Sequence, residues 1–384
     1  MPPLVDRVLR FRRCCSMTGE YNVGARYGKK EKTGVGLIGC GYATQVLHLP
    51  ALRSLPRVRI AGLADIDSRR LDALADSFNV KRRHTDYRAL LDDPDIDVVG
   101  ICSPPQFHAE MAIAALDAGK HVFIEKPLAL DIEETDRLIA HAARLPYKAM
   151  VGFNLRFHYQ ARQAREVIRR GLLGPVEFIR TVSSSRYRWE PNYPEYRKRR
   201  DLGGGVLMEL AVHHFDLWRF LLGVEIKEIS AASRSDDCDD VTAAVTARLA
   251  DGTIANSVFS QSAAENNEVE VFGLNGRMRL SFYRFDGFEL SPGKSYSGEI
   301  GSRLRDAMNT IKAFPRSVAT IRQGGMFLDS YRIQWQSFLD SILRDEPVHC
   351  TLDDGRCASQ AALAAVQSAL TGRSVVIDDG MARR

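Results

Sequence analysis

Between Val35 and Val151 the chain alternates short, continuously apolar runs with amphipathic stretches, and this rhythm constrains the fold more than any other feature. The apolar runs are VGLIG (35–39), VRIAGLAD (58–65), VVGICS (98–103), HVFIE (121–125) and AMVGF (149–153). A strand with one wet face alternates apolar and polar residues; a strand apolar at every position must be covered on both faces, as in a parallel sheet. The intervening stretches SRRLDALADSF (68–78), FHAEMAIAALDAG (107–119) and EETDRLIAHAARL (133–145) have helical spacing, and Gly119 stands where a helix would be capped. Strand–helix alternation of this kind requires right-handed crossovers and predicts an α/β fold with a Rossmann-type, doubly wound parallel sheet.

After residue 152 the pattern changes. GPVEFIRTVSSSRYRW, VTAAVTARLADGTIANSVFSQS and NNEVEVFGLNGRMRLSFY are strand-like, with Asp251-Gly252 and Asn275-Gly276 as hairpin turns. Consecutive hairpins predict a mostly antiparallel open sheet in a C-terminal α+β domain. One long helical pattern, GGGVLMELAVHHFDLWRFLLG, interrupts them. Residues 291–326 read as a polar, irregular excursion; 327–345 and 355–371 read as helices, and SVVID (374–378) as a short edge strand. The predicted plan is a basic N-terminal extension (1–33), a dinucleotide-binding domain (34–153) and a substrate-binding and oligomerisation domain (154–384).

Charge narrows the function classes. The net charge of +5 sits in residues 1–33, where eight Lys/Arg face Asp6, Glu20 and Glu31; the remaining chain is neutral, 45 against 45. No body-wide basic field exists to recruit nucleic acid or anionic lipid, and no run approaches the ~18 apolar residues of a membrane helix. The Arg-rich arm has the composition of a targeting segment but lacks a secretory apolar core. It is read as a disordered extension, or as sequence upstream of a start at Met17. The seven cysteines (Cys14, Cys15, Cys40, Cys102, Cys238, Cys350, Cys357) form no C-x-x-C and no regular spacing, which speaks for a reducing cytoplasm and against a disulfide framework or zinc site.

The chemistry begins at Gly39-Cys40-Gly41-Tyr42-Ala43-Thr44, directly after the first strand. Two glycines permit a tight turn and close approach of backbone N–H groups to a pyrophosphate at a helix N-terminus. Thr44 replaces the third glycine of the usual pattern. Asp65, at the end of the second strand, stands where a carboxylate accepts hydrogen bonds from a ribose diol and repels a 2′-phosphate, so NAD is favoured over NADP; Arg69 and Arg70 keep the second option open. Ser103 and Pro104 end another strand, with His108 in the following helix, and should border the same crevice. Glu125-Lys126-Pro127 ends the next. A lysine beside the cofactor can polarise a substrate hydroxyl and stabilise the developing alkoxide; a solvated ion pair at a strand end is the alternative.

In the second half, Asn154 and Arg156 follow the last apolar run at the domain junction, where they either contact substrate or serve the junction itself. On the helix at 205–222, Leu207, Leu210, Ala211, His214, Leu217, Trp218 and Leu221 make one apolar stripe, and Glu209, His213 and Asp216 a polar one. His214 therefore reads as a core residue and His213 as the candidate base, with Glu209 four residues earlier placed to orient its ring. A Glu-x-x-x-His pair can also hold a metal, but no further ligand cluster accompanies it, and no metal is expected.

Taken together, GCGYAT with HLPAL, CSPPQFHAEMAIAALDAGKHVFIEKPLAL, VGFNLRF and GGGVLMELAVHHFDLWRFLLG resemble the Gfo/Idh/MocA oxidoreductases over nearly the whole chain from Thr33 to Asp379. The resemblance implies NAD(P)-dependent chemistry on sugars, cyclitols and their derivatives, with Lys126 of the E-K-P motif at the active site, often followed by a cis peptide. It implies an Asp-x-x-x-His pair on the helix after the glycine run; His213 matches, while Glu209 stands where aspartate is usual and Ala211 where glycine is common. It also implies a homo-oligomer, a dimer or tetramer built through the open face of the second sheet. Relatives on the same fold that cleave glycosides through transient oxidation, and non-catalytic dinucleotide-binding regulators, are the alternative functions. Ahead of the helix, the loop SRYRWEPNYPEYRKRRD offers aromatics for sugar faces and Arg186, Arg188, Arg197, Arg199 and Arg200 for a substrate anion, or is surface.

Overall fold

The computed structural model describes residues 32–190, 193–293, 300–321 and 325–377. The expected N-terminal extension lies outside them, apart from Lys32 and Thr33, the latter opening the first strand.

The apolar runs form β1 (Thr33–Ile38), β2 (Val58–Ala64), β4 (Val98–Ile101), β5 (His121–Ile124) and β6 (Ala149–Val151), joined by a two-residue β3 (Arg83–His84) that the sequence pattern did not single out. All pairs are parallel, in the order β3-β2-β1-β4-β5-β6. The strand order reverses beside β1, so the carboxyl ends of β1 and β4 flank the crevice where such sheets bind ligands. Val35, Leu37, Val98, Val99, Val122, Phe123 and Ile124 are fully buried, which explains their unbroken apolar runs. Local capping starts the helices: the Asp67 carboxylate accepts from the Arg69 and Arg70 N–H groups at the head of Ser68–Phe78, and Asp131 accepts from the Glu133 N–H at the head of Ile132–Ala142.

The second sheet has eight strands: β7 (Val176–Ser184), β8 (Ile226–Arg234), β9 (Thr242–Leu249), β10 (Ile254–Ser260), β11 (Asn266–Gly273), β12 (Gly276–Ser281), β13 (Phe288–Pro292) and β14 (Val375–Val376). Their order is β13-β12-β11-β7-β10-β9-β8-β14, antiparallel except for β7 beside β10. The predicted hairpins at Asp251-Gly252 and Asn275-Gly276 join β9 to β10 and β11 to β12, and SVVID supplies β14 at the sheet edge. β8 and β13 were not foreseen; their mixed polar pattern suits strands exposed on one face.

Two further expectations change. Ile300–Ile321 is a helix rather than an irregular excursion. Pro315 reads in sequence as a breaker, and it masks the helical spacing of Ile300, Leu304, Met308, Ile311, Phe314 and Val318, all of them exposed. The helix Gly325–Arg344, assigned on sequence to the second half, packs on the first: Trp335 stacks on Phe123 of β5 with ring centroids 4.2 Å apart. The helix Leu352–Thr371 lies between the halves, joined to Asp136 of the first by Arg356 at 2.5 Å.

Candidate active site

The turn after β1 has the two properties that a phosphate cradle needs. Gly39 has φ of 94°, and a Cβ there would stand 2.6 Å from the Cys102 carbonyl oxygen, so only glycine allows this approach to β4. A Cβ on Gly41 would meet nothing within 4 Å, so the turn borders open space. Thr44, in the position of the missing third glycine, donates its hydroxyl to the Gly39 carbonyl at 2.5 Å and braces the turn instead. The Asp65 carboxylate ties the loop down, accepting from the Cys40 N–H at 2.7 Å and the Asp67 N–H at 2.9 Å. Arg70 Nε approaches the same carboxylate at 3.7 Å, while Tyr42 lies half exposed with its ring edge-on to Tyr187 at 5.5 Å. The open cradle at Gly41, the half-exposed Tyr42 beside it and the carboxylate at the end of β2 fit a dinucleotide.

Glu125, Lys126 and Pro127 leave the carboxyl end of β5 next to this turn, and the Lys126–Pro127 peptide is cis. Lys126 and Glu125 do not form the side-chain ion pair that their adjacency suggests. Lys126 Nζ instead donates to the backbone carbonyl of Glu209 at 3.0 Å, bridging the two halves. Glu125 accepts the Lys126 backbone N–H at 3.2 Å and lies 2.9 Å from His48 Nε2. Burial pushes the Lys126 ammonium below its ordinary range, against the pull of Glu209 and Glu125. Burial opposes the Glu125 charge, but His48 and Lys126 outweigh it and hold the carboxyl low.

His108, expected at the crevice, lies behind it. It is 1% exposed, with Nδ1 2.8 Å from the Pro127 carbonyl and Nε2 2.8 Å from the Ser103 carbonyl. Burial holds the ring neutral, so it donates to one of these carbonyls at a time, and it links the end of β4 to the E-K-P turn from behind the crevice. Ser103 and Pro104 remain at its rim.

The helix carrying Glu209 and His213 opens with a π-helical turn, Leu207–Ala211, before becoming α-helical over Val212–Leu222. A π turn bonds i to i+5, so residues four apart no longer stack as in an α-helix. The expected Glu209–His213 hydrogen bond accordingly does not form. The Glu209 carboxylate pairs with Arg197 Nε at 3.1 Å and with Gln261 Nε2 at 3.2 Å. His213 lies edge-on to Phe153 at 6.0 Å, and its Nδ1 is buried without a hydrogen-bond partner among the described residues. Burial, then the nearby Lys126 charge and His214, push its pKa well down, so the imidazole is neutral. His214 is a buried core residue, as its stripe predicted.

Asn154 and Arg156 are both engaged at the junction between the halves. Asn154 Nδ2 donates to Ser330 Oγ at 3.0 Å. Arg156 makes a bidentate pair with Asp216, Nε at 2.7 Å and Nη2 at 2.6 Å, and Nη1 reaches Asp354 at 2.9 Å. Asp216 thus leaves the polar stripe of Glu209 and His213 for a separate, buried network. Three residues at the site were not given individual roles on sequence: Arg197 beside Glu209, Gln261 at the end of β10, and Tyr193, whose hydroxyl donates to Gln261 Oε1 at 3.1 Å. Arg197 and Tyr193 were visible as members of a basic–aromatic loop; nothing local marks Gln261.

Comparison with known proteins agrees with this architecture. The family model for oxidoreductases with an NAD-binding Rossmann fold matches residues 33–153, and that for the Gfo/Idh/MocA C-terminal domain matches residues 161–279. Uncharacterized oxidoreductase YrbE of Bacillus subtilis is 30% identical over 352 residues, spanning 89% of this chain and 96% of its own. The myo-inositol 2-dehydrogenase of Thermotoga maritima is 27% identical over 356 residues, 90% of this chain and 98% of its own. An NAD binding oxidoreductase from Klebsiella pneumoniae superposes with a TM-score of 0.74 at 25% identity, over 91% of this chain and 100% of that one. Levoglucosan dehydrogenase, solved with NADH and levoglucosan, shares the fold at a TM-score of 0.75 and 22% identity, over 91% and 100%. With a dinucleotide cradle on the first sheet, an E-K-P lysine reaching the second domain, and both domains matched, this chain belongs to the Gfo/Idh/MocA oxidoreductase family.

Proposed function

We propose that the protein is a dehydrogenase of sugars or cyclitols, oxidising a secondary hydroxyl at the expense of NAD. The observation that carries this reading is the meeting of an ammonium and a neutral imidazole at one crevice. Lys126 Nζ reaches the Glu209 carbonyl at 3.0 Å, and His213, one helical turn on, is held neutral by burial beside it. A bound nicotinamide dinucleotide supplies the acceptor for the hydrogen and electron pair that leave the carbinol carbon. His213 takes the hydroxyl proton, and Lys126 stabilises negative charge developing on the oxygen. Gly39, Gly41, Tyr42, Ala43 and Asp65 hold the dinucleotide, and Ser103, Pro104 and Glu125 border it. Asp65 favours NAD by repelling a 2′-phosphate, with Arg70 as the competing influence.

The pairing of four of the five loop arginines, all but Arg186, supports an uncharged polyol. Arg188 is bound to Asp236 and Asp237, Arg199 to Asp201, Arg200 to Asp240 and Arg197 to Glu209, which leaves these guanidinium groups engaged rather than offered to a substrate anion. Inositol 2-dehydrogenases among the relatives point to the same substrate class.

The test is NADH formation across cyclitols, sugars, sugar acids and sugar phosphates, with Lys126→Ala and His213→Ala alongside. Turnover of a polyol that both substitutions abolish sustains the reading. Glycoside cleavage without NADH accumulation, or turnover indifferent to both substitutions, refutes it.

A further inference from the structure

We propose that His48 is a positioning residue for Lys126: it engages the Glu125 carboxylate so that the neighbouring ammonium stays free for substrate, and Trp335 sets the imidazole tautomer that does so. The inference rests on the reading of Lys126 as the group that meets the substrate oxygen.

A buried carboxylate next to a buried ammonium should capture it, because attraction strengthens as water is excluded. Glu125 and Lys126 are neighbours in sequence, yet no such pair forms. Glu125 Oε2 accepts the Lys126 backbone N–H at 3.2 Å, Oε1 lies 2.9 Å from His48 Nε2, and Lys126 Nζ turns away to the Glu209 carbonyl. His48 ends the π-helical turn Thr44–His48 that follows the glycine-rich loop, and it is fully buried. Its ring is boxed edge-on by Phe123, Tyr331 and Trp335, with centroids 5.6, 5.7 and 6.0 Å away.

The tautomer follows from Trp335, whose Nε1 lies 3.0 Å from His48 Nδ1. An indole N–H can only donate, so Nδ1 presents its lone pair and the ring proton sits on Nε2, 2.9 Å from Glu125 Oε1, and neither of these two atoms has another hydrogen-bond partner among the described residues. Burial opposes charge on the ring, while Cys102 and Glu125 push its pKa up to about 10; against this, a protonated Nδ1 would set two donors against each other at the 3.0 Å contact with Trp335 Nε1, and that contact decides for the neutral form. Trp335 belongs to the helix Gly325–Arg344, so the contacts Trp335–His48–Glu125–Lys126 run from the last part of the chain to the E-K-P turn.

Two substitutions each keep half of the imidazole. His48→Gln can place an amide N–H near the Nε2 position and retain a donor to Glu125. His48→Asn can place an amide oxygen near Nδ1, retaining the acceptor for Trp335 and losing that donor. Both remove the ring, so a role in packing alone predicts equal effects. The readout is the rate at which trinitrobenzenesulfonate modifies Lys126 in the intact protein without added nucleotide, followed by mass spectrometry of the Lys126 peptide, with kcat measured in parallel. In His48→Asn the freed carboxylate should pair with the ammonium and raise its pKa by about one unit, slowing modification about tenfold at fixed pH. His48→Gln should stay within about threefold of the parent, as expected when the donor is kept. In a Glu125→Gln background His48→Asn should have no further effect, since no carboxylate remains to capture the amine. Should His48→Asn fail to fold, Trp335→Phe removes the tautomer lock and should slow modification in the same direction. Equal rates in the Asn and Gln variants, or unslowed modification in Trp335→Phe, overturn the proposal. The modification rate reads the relay whether or not any polyol is oxidised; a parent protein that turns over none, with the expected pattern intact, sinks the proposed reaction alone.

Discussion

Replacing Arg156 with methionine separates a junction role from a substrate contact. The guanidinium is 8% exposed and Asp216 is 1% exposed, with paired distances of 2.6 and 2.7 Å. Removing one partner of a buried pair typically costs about 3–5 kcal/mol, because the other charge is stranded out of water. Two features place Arg156→Met near the lower end of that range. Arg219 lies 3.9 Å from Asp216 and can partly compensate, and Asp354 is more exposed and regains water. A loss of about 3 kcal/mol lowers the folded-to-unfolded ratio by roughly two orders of magnitude. Urea unfolding followed by tryptophan fluorescence reads it well, since Trp218 is fully buried on the same helix as Asp216. Arg156→Met with Asp216→Met should recover part of the loss, because apolar residues of similar volume tolerate such a site. Unchanged midpoints together with a raised KM would refute the reasoning and return Arg156 to the substrate.

Other consequences are open to measurement. Lys126→Ala and His213→Ala should each lower kcat on the true substrate by about 10²–10⁴-fold with the unfolding midpoint little moved; loss of activity only through unfolding would count against both roles. Asp65→Ser removes the charge that repels a 2′-phosphate and leaves Arg70 beside the site, so the NADP-to-NAD ratio of kcat/KM should rise by about tenfold or more, ~1.4 kcal/mol; an unmoved ratio would show that the carboxylate does not select the cofactor. Acid should destabilise the fold early. Burial drives His121 and His158 down to about 4 and His214 to about 3, whereas the unfolded chain takes up these protons near pH 6.5. The unfolded state therefore binds more protons as pH falls, and stability is lost from about pH 6.5 down toward 4, at up to about 1.4 kcal/mol per pH unit for each residue. Denaturant midpoints that stay flat from pH 7 to 5 would contradict it.

How far the site was legible depends on how local each geometry is. The Gly39–Gly41 turn, Asp65 and the E-K-P segment were readable because each is set by a few consecutive residues at a strand end. Misreadings came where partners arrive from far along the chain. His108 looked like a crevice residue, but its buried ring lies between the Ser103 and Pro127 carbonyls. Glu209 and His213 looked like an α-helical pair, but the turn widens to π beneath them, and Arg197 and Gln261 take the carboxylate. His48 was visible only as part of a family motif, because its partner Trp335 lies 287 residues away.

By itself the sequence determined the two-part architecture, the glycine turn after the first strand and the lysine at the end of β5. Unbroken apolar runs demand a sheet covered on both faces, and glycine pairs and strand-end charges carry their geometry with them. Only the tertiary structure decided which polar residues face the crevice and which are consumed in holding it together. Periodicity assigns a side chain to a face of its own element; its hydrogen-bond partner is chosen by whatever packs against that face. Arg156, His108 and Glu209 each found such a partner, and His213 Nδ1 found none among the described residues.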